Sequence, residues 1–331
     1  MGLGRSVARS EKVNIILGSG VVGVLARHIL GPSWKIIPFH RSRFYSFDPA
    51  LDDNFIIADP VIEPFVKELT KEIVPRTYPY RLAWSIGGQI LPDYQSDICH
   101  DWLYKTFNGR PQGQAAPYLS THMNLQVYGL RTNELYQRLI HTYMDEIQEE
   151  VKNGPITKIT PHAIHRGDLI TEYSQIISTI PLDVLCKLLG VTVELPSQTV
   201  HYVHLTTDNL NFEGFNQLLV VDKVFDFYKV TNIAPNRYLF YFNRDIPNPG
   251  IYLMSVMQKF DILEGTSITG ALPLGNSPDL KNLEAIGITC LGSYAQWDWC
   301  MDVGSCIKRL LNMIGRNMKP KKPNVHKFDG L

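Results

Sequence analysis

Near the start of this 331-residue chain, Gly18-Ser19-Gly20-Val21-Val22-Gly23 follows the short apolar run Val13-Asn14-Ile15-Ile16-Leu17. Three glycines at this spacing suit the binding of a dinucleotide. Gly18 permits a tight turn, Gly20 lets the backbone approach a pyrophosphate, and Gly23 lets a helix pack close to the strand. Ser19, Val21 and Val22 complete the loop, and the unpaired N–H groups of the helix that starts here would face the phosphates. Where an acid normally holds the ribose, about twenty residues on, stands His40-Arg41-Ser42-Arg43. His40 can hydrogen-bond a ribose hydroxyl, and Arg41 and Arg43 can take a phosphate. A solvated basic loop is the alternative reading of the same residues.

Other chemistries find no pattern. The ten histidines include no H-x-x-x-H or H-E-x-x-H, so no metal is expected. Cys99, Cys186, Cys290, Cys300 and Cys306 are scattered, form no C-x-x-C pair, and read as reduced thiols. No local arrangement supports a Ser-His-Asp triad or a nucleophilic cysteine.

The elements around the glycines form a βαβ unit. Val13–Leu17 is a strand suited to burial on both faces. Val21, Val22, Val24, Leu25, Ile29 and Leu30 make a helical stripe that stops at Gly31-Pro32, and residues 34–39 form a second strand. Further on, spacing predicts a helix over 61–74 and a hairpin over 80–92 around Gly87-Gly88. A helix over 132–151 is capped by Thr132 and ended by Asn153-Gly154-Pro155. Strands follow over 156–164 and 175–181, then a short helix over 182–189. From 199 to 260 the chain reads as strands at 200–205, 218–221, 225–230, 238–243 and 251–257. Residues 285–294 read as one buried strand, and 306–314 as an amphipathic helix behind Asp302-Val303-Gly304-Ser305.

Composition bounds the class. The length suggests roughly two domains at about 150 residues each, and 44% hydrophobic residues supply a large core. Thirty-two basic residues balance 32 acidic ones, so charge gives no footprint for nucleic acid or an anionic membrane. No apolar run reaches the ~18 residues of a bilayer span. Arg5, Arg9, Glu11 and Lys12 argue against a secretory signal; a cytoplasmic location is expected.

Four segments, in order, resemble the flavoprotein superfamily that includes UDP-galactopyranose mutase and the amine oxidase/protoporphyrinogen oxidase group. They are Gly18–Gly23, Tyr128-Gly129-Leu130-Arg131, Ile176-Ile177-Ser178-Thr179-Ile180-Pro181-Leu182-Asp183, and Gly292-Ser293-Tyr294-Ala295-Gln296-Trp297. The resemblance implies an α/β fold: a discontinuous Rossmann-type FAD-binding domain (11–50, 115–195 and 280–318) with an inserted sheet-rich substrate domain (51–114 and 196–279). A flexible basic tail over 319–331 would follow. It also implies FAD, with the ADP half at Gly18–Gly23 and the isoalloxazine near Gly292 to Ser305, beginning with Gly292 and Ser293; His40 and Arg41 are the cofactor-binding candidates where the family's acid is missing. Backbone N–H groups at Asp302, Val303 and Gly304 would face the flavin edge that gains negative charge on reduction; an ordinary helix cap is the alternative. The chain departs from the family in lacking the ribose acid and in carrying Ser293 where an arginine is usual.

What the resemblance implies for chemistry is an enzyme acting on a small molecule, most simply an oxidoreductase that moves a hydride from an amine-type substrate to flavin N5. Lys229, Tyr228 and Arg131 are then the catalytic candidates, with Lys229 holding a water or meeting N5. Arg81, Trp84 and Trp297 are the substrate-binding candidates, with Trp299 as a further wall. The alternatives are a mutase-like isomerase using reduced FAD, with Arg81, Arg131 and Arg237 on a pyrophosphate, an NAD(P)-dependent reductase, and a non-catalytic FAD-binding protein. A homo-oligomer stays open.

Overall fold

In the computed structural model the described residues are 12–39, 55–71, 75–109, 115–207, 210, 212, 214–244, 246, 248–257, 267–274, 278–298 and 300–317. His40, Arg41, Arg43, Trp299 and the tail over 319–331 lie outside them.

Strand β1 (Val13–Leu17) lies inside a six-stranded sheet, where Ile15 and Leu17 face one core and Ile16 the other. It pairs in parallel with β2 (Trp34–Ile37) on one side and with the second half of β9 (Leu169–Ser178) on the other. The end of β9 also pairs in parallel with β15 (Ile288–Cys290). Four strands from three distant chain segments thus lie in the order β2-β1-β9-β15. The first half of β9 turns outward into an antiparallel ladder with β8 (Ala163–Arg166), which pairs with β7 (Lys158–Ile159). The single strand expected over 156–164 is therefore two short ones. Pro161 lacks the N–H a ladder needs, and Thr160 closes the turn through its hydroxyl to Ala163.

Helices cover both faces of this sheet. Helix α1 (Val21–Leu30), α5 (Thr132–Lys152) and α10 (Val303–Asn317) bury Val24, Leu25, Leu139, Ile140, Ile307 and Leu310 against Ile16 and Ile36. On the opposite face α6 (Leu182–Leu188) and α9 (Ser293–Gln296) bury Leu182, Leu185 and Ala295 against Ile15, Leu17 and Ile37. Alternation along β1 sends neighbouring isoleucines to opposite cores. Each such side chain is worth about 1.5–3 kcal/mol on full burial. The strand expected over 285–294 is only β15, preceded by α8 (Lys281–Ala285) and followed by α9. Gly292 stops it, because its φ of +105° is not a strand conformation.

The second sheet has nine strands. Its order is β14 (Ser267–Pro273), β10 (Ser197–Thr206), β13 (Arg237–Phe242), β12 (Phe227–Ala234), β11 (Gln217–Val220), β4 (Thr77–Ile86), β6 (Asn124–Arg131) and β3 (Phe55–Ile57), with β5 (Gln89–Leu91) beside β4. All pairs are antiparallel except β11 with β4. One face packs on α3 (Ser96–Thr106) and α4 (Ala115–His122), burying Trp84, Trp102, Leu103 and Leu119. The other buries Phe227, Phe240, Phe242 and Leu253. Residues 124–131, placed by sequence with the first domain, hydrogen-bond into this second sheet. Residues 251–257, expected as a strand, belong to α7 (Pro249–Met257). A short apolar run has no decisive period, and Pro249 starts the helix where its missing N–H costs nothing. Helix α2 (Glu63–Thr70) packs beside α10 in the first core. Among the described residues, no helix is long and apolar enough to cross a membrane.

Candidate functional site

Where the two sheets meet there is a cavity of about 510 Å³. Its first-sheet wall is made by Gly20, Val21, Val22, Thr179, Gly292, Ser293, Asp302 and Val303. Its second-sheet wall is aromatic and apolar, with Tyr80, Leu82, Tyr202, Leu219, Tyr228 and Tyr241, and it also carries Lys229.

The glycine turn is built by close approach. Gly18 donates its N–H to the Ile37 carbonyl at 2.8 Å, and a Cβ on Gly18 would collide with the Thr179 hydroxyl. Thr179 is itself fixed, donating its hydroxyl to the Leu17 carbonyl at 3.0 Å. A Cβ on Gly23 would collide with the Gly18 carbonyl oxygen, so only glycine lets α1 sit this close to β1. Gly20 differs: a Cβ built on it meets no protein atom within 4 Å, and the residue lines the cavity. From α5, Tyr136 donates its hydroxyl to the Ser19 carbonyl at 3.2 Å, holding the turn from outside.

The C-terminal segment closes against this turn. A Cβ on Gly292 would lie 3.5 Å from the Val22 side chain, so the two glycine segments touch. Asp302 caps α10: its Oδ1 accepts the Ser305 N–H at 2.7 Å and its Oδ2 accepts the Ser305 hydroxyl at 3.1 Å. Val303 lines the cavity, while Gly304 is buried behind it against Asp302 and Ile62.

Two points test whether these residues fit a long polar ligand. The first is the open space at Gly20. The second is Thr132, expected as the cap of α5. Arg131 takes the cap position instead, and the Thr132 hydroxyl is buried at the cavity with no hydrogen-bond partner. An orphaned buried hydroxyl costs about 1–3 kcal/mol, and a ligand in the cavity would remove that cost.

No protein-family model matches this chain, and no curated protein matches it in sequence. Solved structures do. Reduced UDP-galactopyranose mutase superposes with a TM-score of 0.58 at 12% identity, covering 96% of this chain and 97% of that one. Cyclohexylamine oxidase from Brevibacterium oxydans gives 0.63 at 10% identity, over 93% and 100% of the two chains. Putrescine oxidase bound to putrescine gives 0.55 at 12% identity, over 92% and 99%. The chain has the fold of these proteins. At such identity the likeness speaks for the fold, and the α/β class implied by the resemblance is the one observed.

Within this amine-oxidase-like fold the remaining sequence candidates fall into three places. Tyr228 and Lys229 line the cavity on β12; Lys229 Nζ lies 3.7 Å from the centroid of the Tyr241 ring, a cation–π contact. Arg131 stands behind the wall, with its guanidinium 5.1 Å over the Phe55 ring, and Phe55 is the residue that meets the cavity. Arg81, Trp84 and Trp297 do not line it. Arg81 is exposed on β4. Trp84 is fully buried, donating its ring N–H to the Asp93 carbonyl at 3.0 Å. Trp297, in a left-handed backbone at φ +56°, is buried beneath α9 and donates to the Pro196 carbonyl at 3.2 Å. Large aromatic side chains went to the cores because that is where their apolar area is removed from water.

Sequence reading passed over the pair Tyr118 and His122 on α4. Both line the cavity, and their rings stack with centroids 3.6 Å apart. Burial, with Asp302 and Cys300 nearby, pushes the Tyr118 hydroxyl above its ordinary range. Burial also lowers the His122 imidazole, against the opposing pull of the Tyr118 carbonyl and the Asp302 carboxylate. The only signal in the sequence was one histidine at the end of a short segment of weak periodicity.

Proposed function

We propose that the chain binds FAD and is an oxidoreductase acting on a small, largely apolar substrate, with an amine-type compound as the first class to test. The observation that carries this reading is the single cavity shared by Gly20–Val22, Gly292, Ser293, Asp302, Val303 and Lys229. Gly18–Gly23 with the first turn of α1 would hold the pyrophosphate on backbone N–H groups. The start of α10 at Val303 would face the flavin ring, where N–H groups favour negative charge. When bound, FAD supplies two-electron chemistry as a hydride acceptor.

The chain's own residues do the rest. Tyr202, Tyr228 and Tyr241 form a wall that excludes water from the reacting carbon, and Lys229 holds a water or the ring edge from the second sheet. Asp302 is the only carboxylate among the described lining residues, and both of its oxygens already accept from Ser305. Arginine is absent from the described lining residues, which favours an oxidoreductase over an isomerase that must clamp a nucleotide-sugar pyrophosphate. The unit carrying the first sheet is read as the cofactor domain and the nine-stranded sheet as the substrate domain.

The test is anaerobic mixing of the yellow protein with primary amines, following loss of the flavin absorbance and then oxygen consumption on re-aeration. Bleaching by an amine is the expected result. Turnover of a nucleotide sugar only after dithionite reduction, with no bleaching by amines, would replace the oxidoreductase with the isomerase.

A further inference from the structure

His122 is held in one tautomer by its surroundings. Its Nδ1 lies 2.5 Å from the Tyr118 carbonyl oxygen and 2.8 Å from the Thr121 hydroxyl. A carbonyl oxygen only accepts, so Nδ1 carries the proton. In the neutral ring Nε2 is then a bare lone pair, and among the described residues it has no partner. The ring stacks on Tyr118, which fixes its plane. It lines the cavity that also contains Lys229, Val303 and Gly20. A backbone-anchored imidazole with an unused basic nitrogen on the cavity wall is the arrangement of a base.

We propose that His122 Nε2 is the proton acceptor of the substrate reaction, and that the substrate carries an N–H or O–H on the carbon that is oxidised. This rests on the FAD reading above. In an H–C–X–H group, with X nitrogen or oxygen, oxidation breaks the C–H and X–H bonds and forms C=X. With FAD bound, the hydride and its electron pair would leave to the cofactor, and the proton would go to Nε2, giving an imidazolium that later returns it to solvent. The groups facing His122 suit this cycle. The Asp302 carboxylate at the start of α10 stabilises the imidazolium, Tyr118 on its own helix stays a neutral phenol, and Lys229 stands on the second-sheet wall. Burial keeps the resting imidazole neutral near pH 7, and a positioned base contributes about 10²–10⁴-fold.

Two measurements on the full-length holoprotein test this. In ¹⁵N-histidine-labelled wild type at pH 7, NMR should find one imidazole with Nδ1 protonated and Nε2 bare, missing from both His122→Gln and His122→Asn. Its pKa should lie below the ordinary histidine value. A His122 ring that is protonated, or that carries its proton on Nε2, overturns the proposal. In anaerobic reduction by primary amines and primary alcohols, His122→Gln should keep the wild-type FAD content and visible spectrum. Its flavin should bleach at least ~100-fold more slowly, without the low-pH limb of the wild-type profile. A flavin-bearing variant that matches wild type in rate and pH profile overturns the base role alone. A wild type that takes up no FAD overturns the functional reading and the base role together.

Discussion

Gly20 and Gly23 stand in one turn, yet each lacks a side chain for a different reason. At Gly23 the obstacle is the protein itself, since a Cβ would meet the Gly18 carbonyl oxygen. Gly23→Ala should therefore lower stability by about 1–3 kcal/mol, the usual cost of overpacking, read as a fall in Tm or urea midpoint. At Gly20 the space belongs to no protein atom within 4 Å. Gly20→Val should fold with stability close to wild type and bind no FAD, measured as flavin released per chain after heat precipitation. Normal flavin content in that variant would contradict the assignment of the turn. The glycine turn was legible because its three positions are neighbours in sequence and their spacing carries the geometry. His122 was not, because nothing local distinguishes it from a surface histidine. Its meaning comes from Tyr118 beneath it and Asp302, which lies 180 residues downstream.

Among the elements, α5 ties several parts of the first-sheet unit together. It ties α1 through Arg27 to Glu146 at 2.9 Å and β2 through the Ile36 N–H to the same carboxylate at 3.1 Å. At its end Glu150 is buried between Arg166 of β8 at 2.7 Å and Lys35 of β2 at 2.6 Å. Burial alone would raise the Glu150 carboxyl, but the hydrogen bonds from Lys35 and Arg166 outweigh it and hold it below the usual range. Glu150→Gln leaves the Arg166 cation buried without its counter-charge and should cost about 3–5 kcal/mol. The sign with pH follows from the lowered value. The Glu150 contribution is complete above the unfolded carboxylate pKa of about 4.3 and is lost as pH falls through the lower folded one. Urea midpoints of wild type and Glu150→Gln should thus differ most near pH 7 and converge in acid; a constant gap would contradict this pairing. Helix α5 and the hairpin β4–β5 were readable from periodicity and a Gly-Gly turn. Helix α7 and the divided β7–β8 strand were not, since short apolar runs carry no decisive period and a proline acts through what its neighbours need.

At the scale of the whole molecule, the fold joins segments that local pattern does not connect. Strands at 13–17, 169–178 and 288–290 lie side by side, and the sequence hinted at this only through short apolar runs, ended by glycine or proline, matched in order to a known superfamily. The two sheets then enclose the cavity, and most of the remaining reactive groups are buried. Burial raises all five thiols, with Cys290, Cys300 and Cys306 pushed up to about 12. Native protein at pH 8 should therefore react slowly with a disulfide reagent such as DTNB, and guanidinium should release all five equivalents promptly. Rapid labelling of the native chain would mean that these cores open easily. One cavity, lined by Gly20–Val22 on one side and by Gly292, Ser293, Asp302 and Val303 on the other, is the space assigned above to FAD. The most direct measurement is an absorption spectrum of the purified protein with quantification of flavin per chain. Flavin bands and close to one FAD per chain, restored by added FAD after stripping, are the expected result; a colourless protein that takes up no added FAD would overturn the assignment of this cavity.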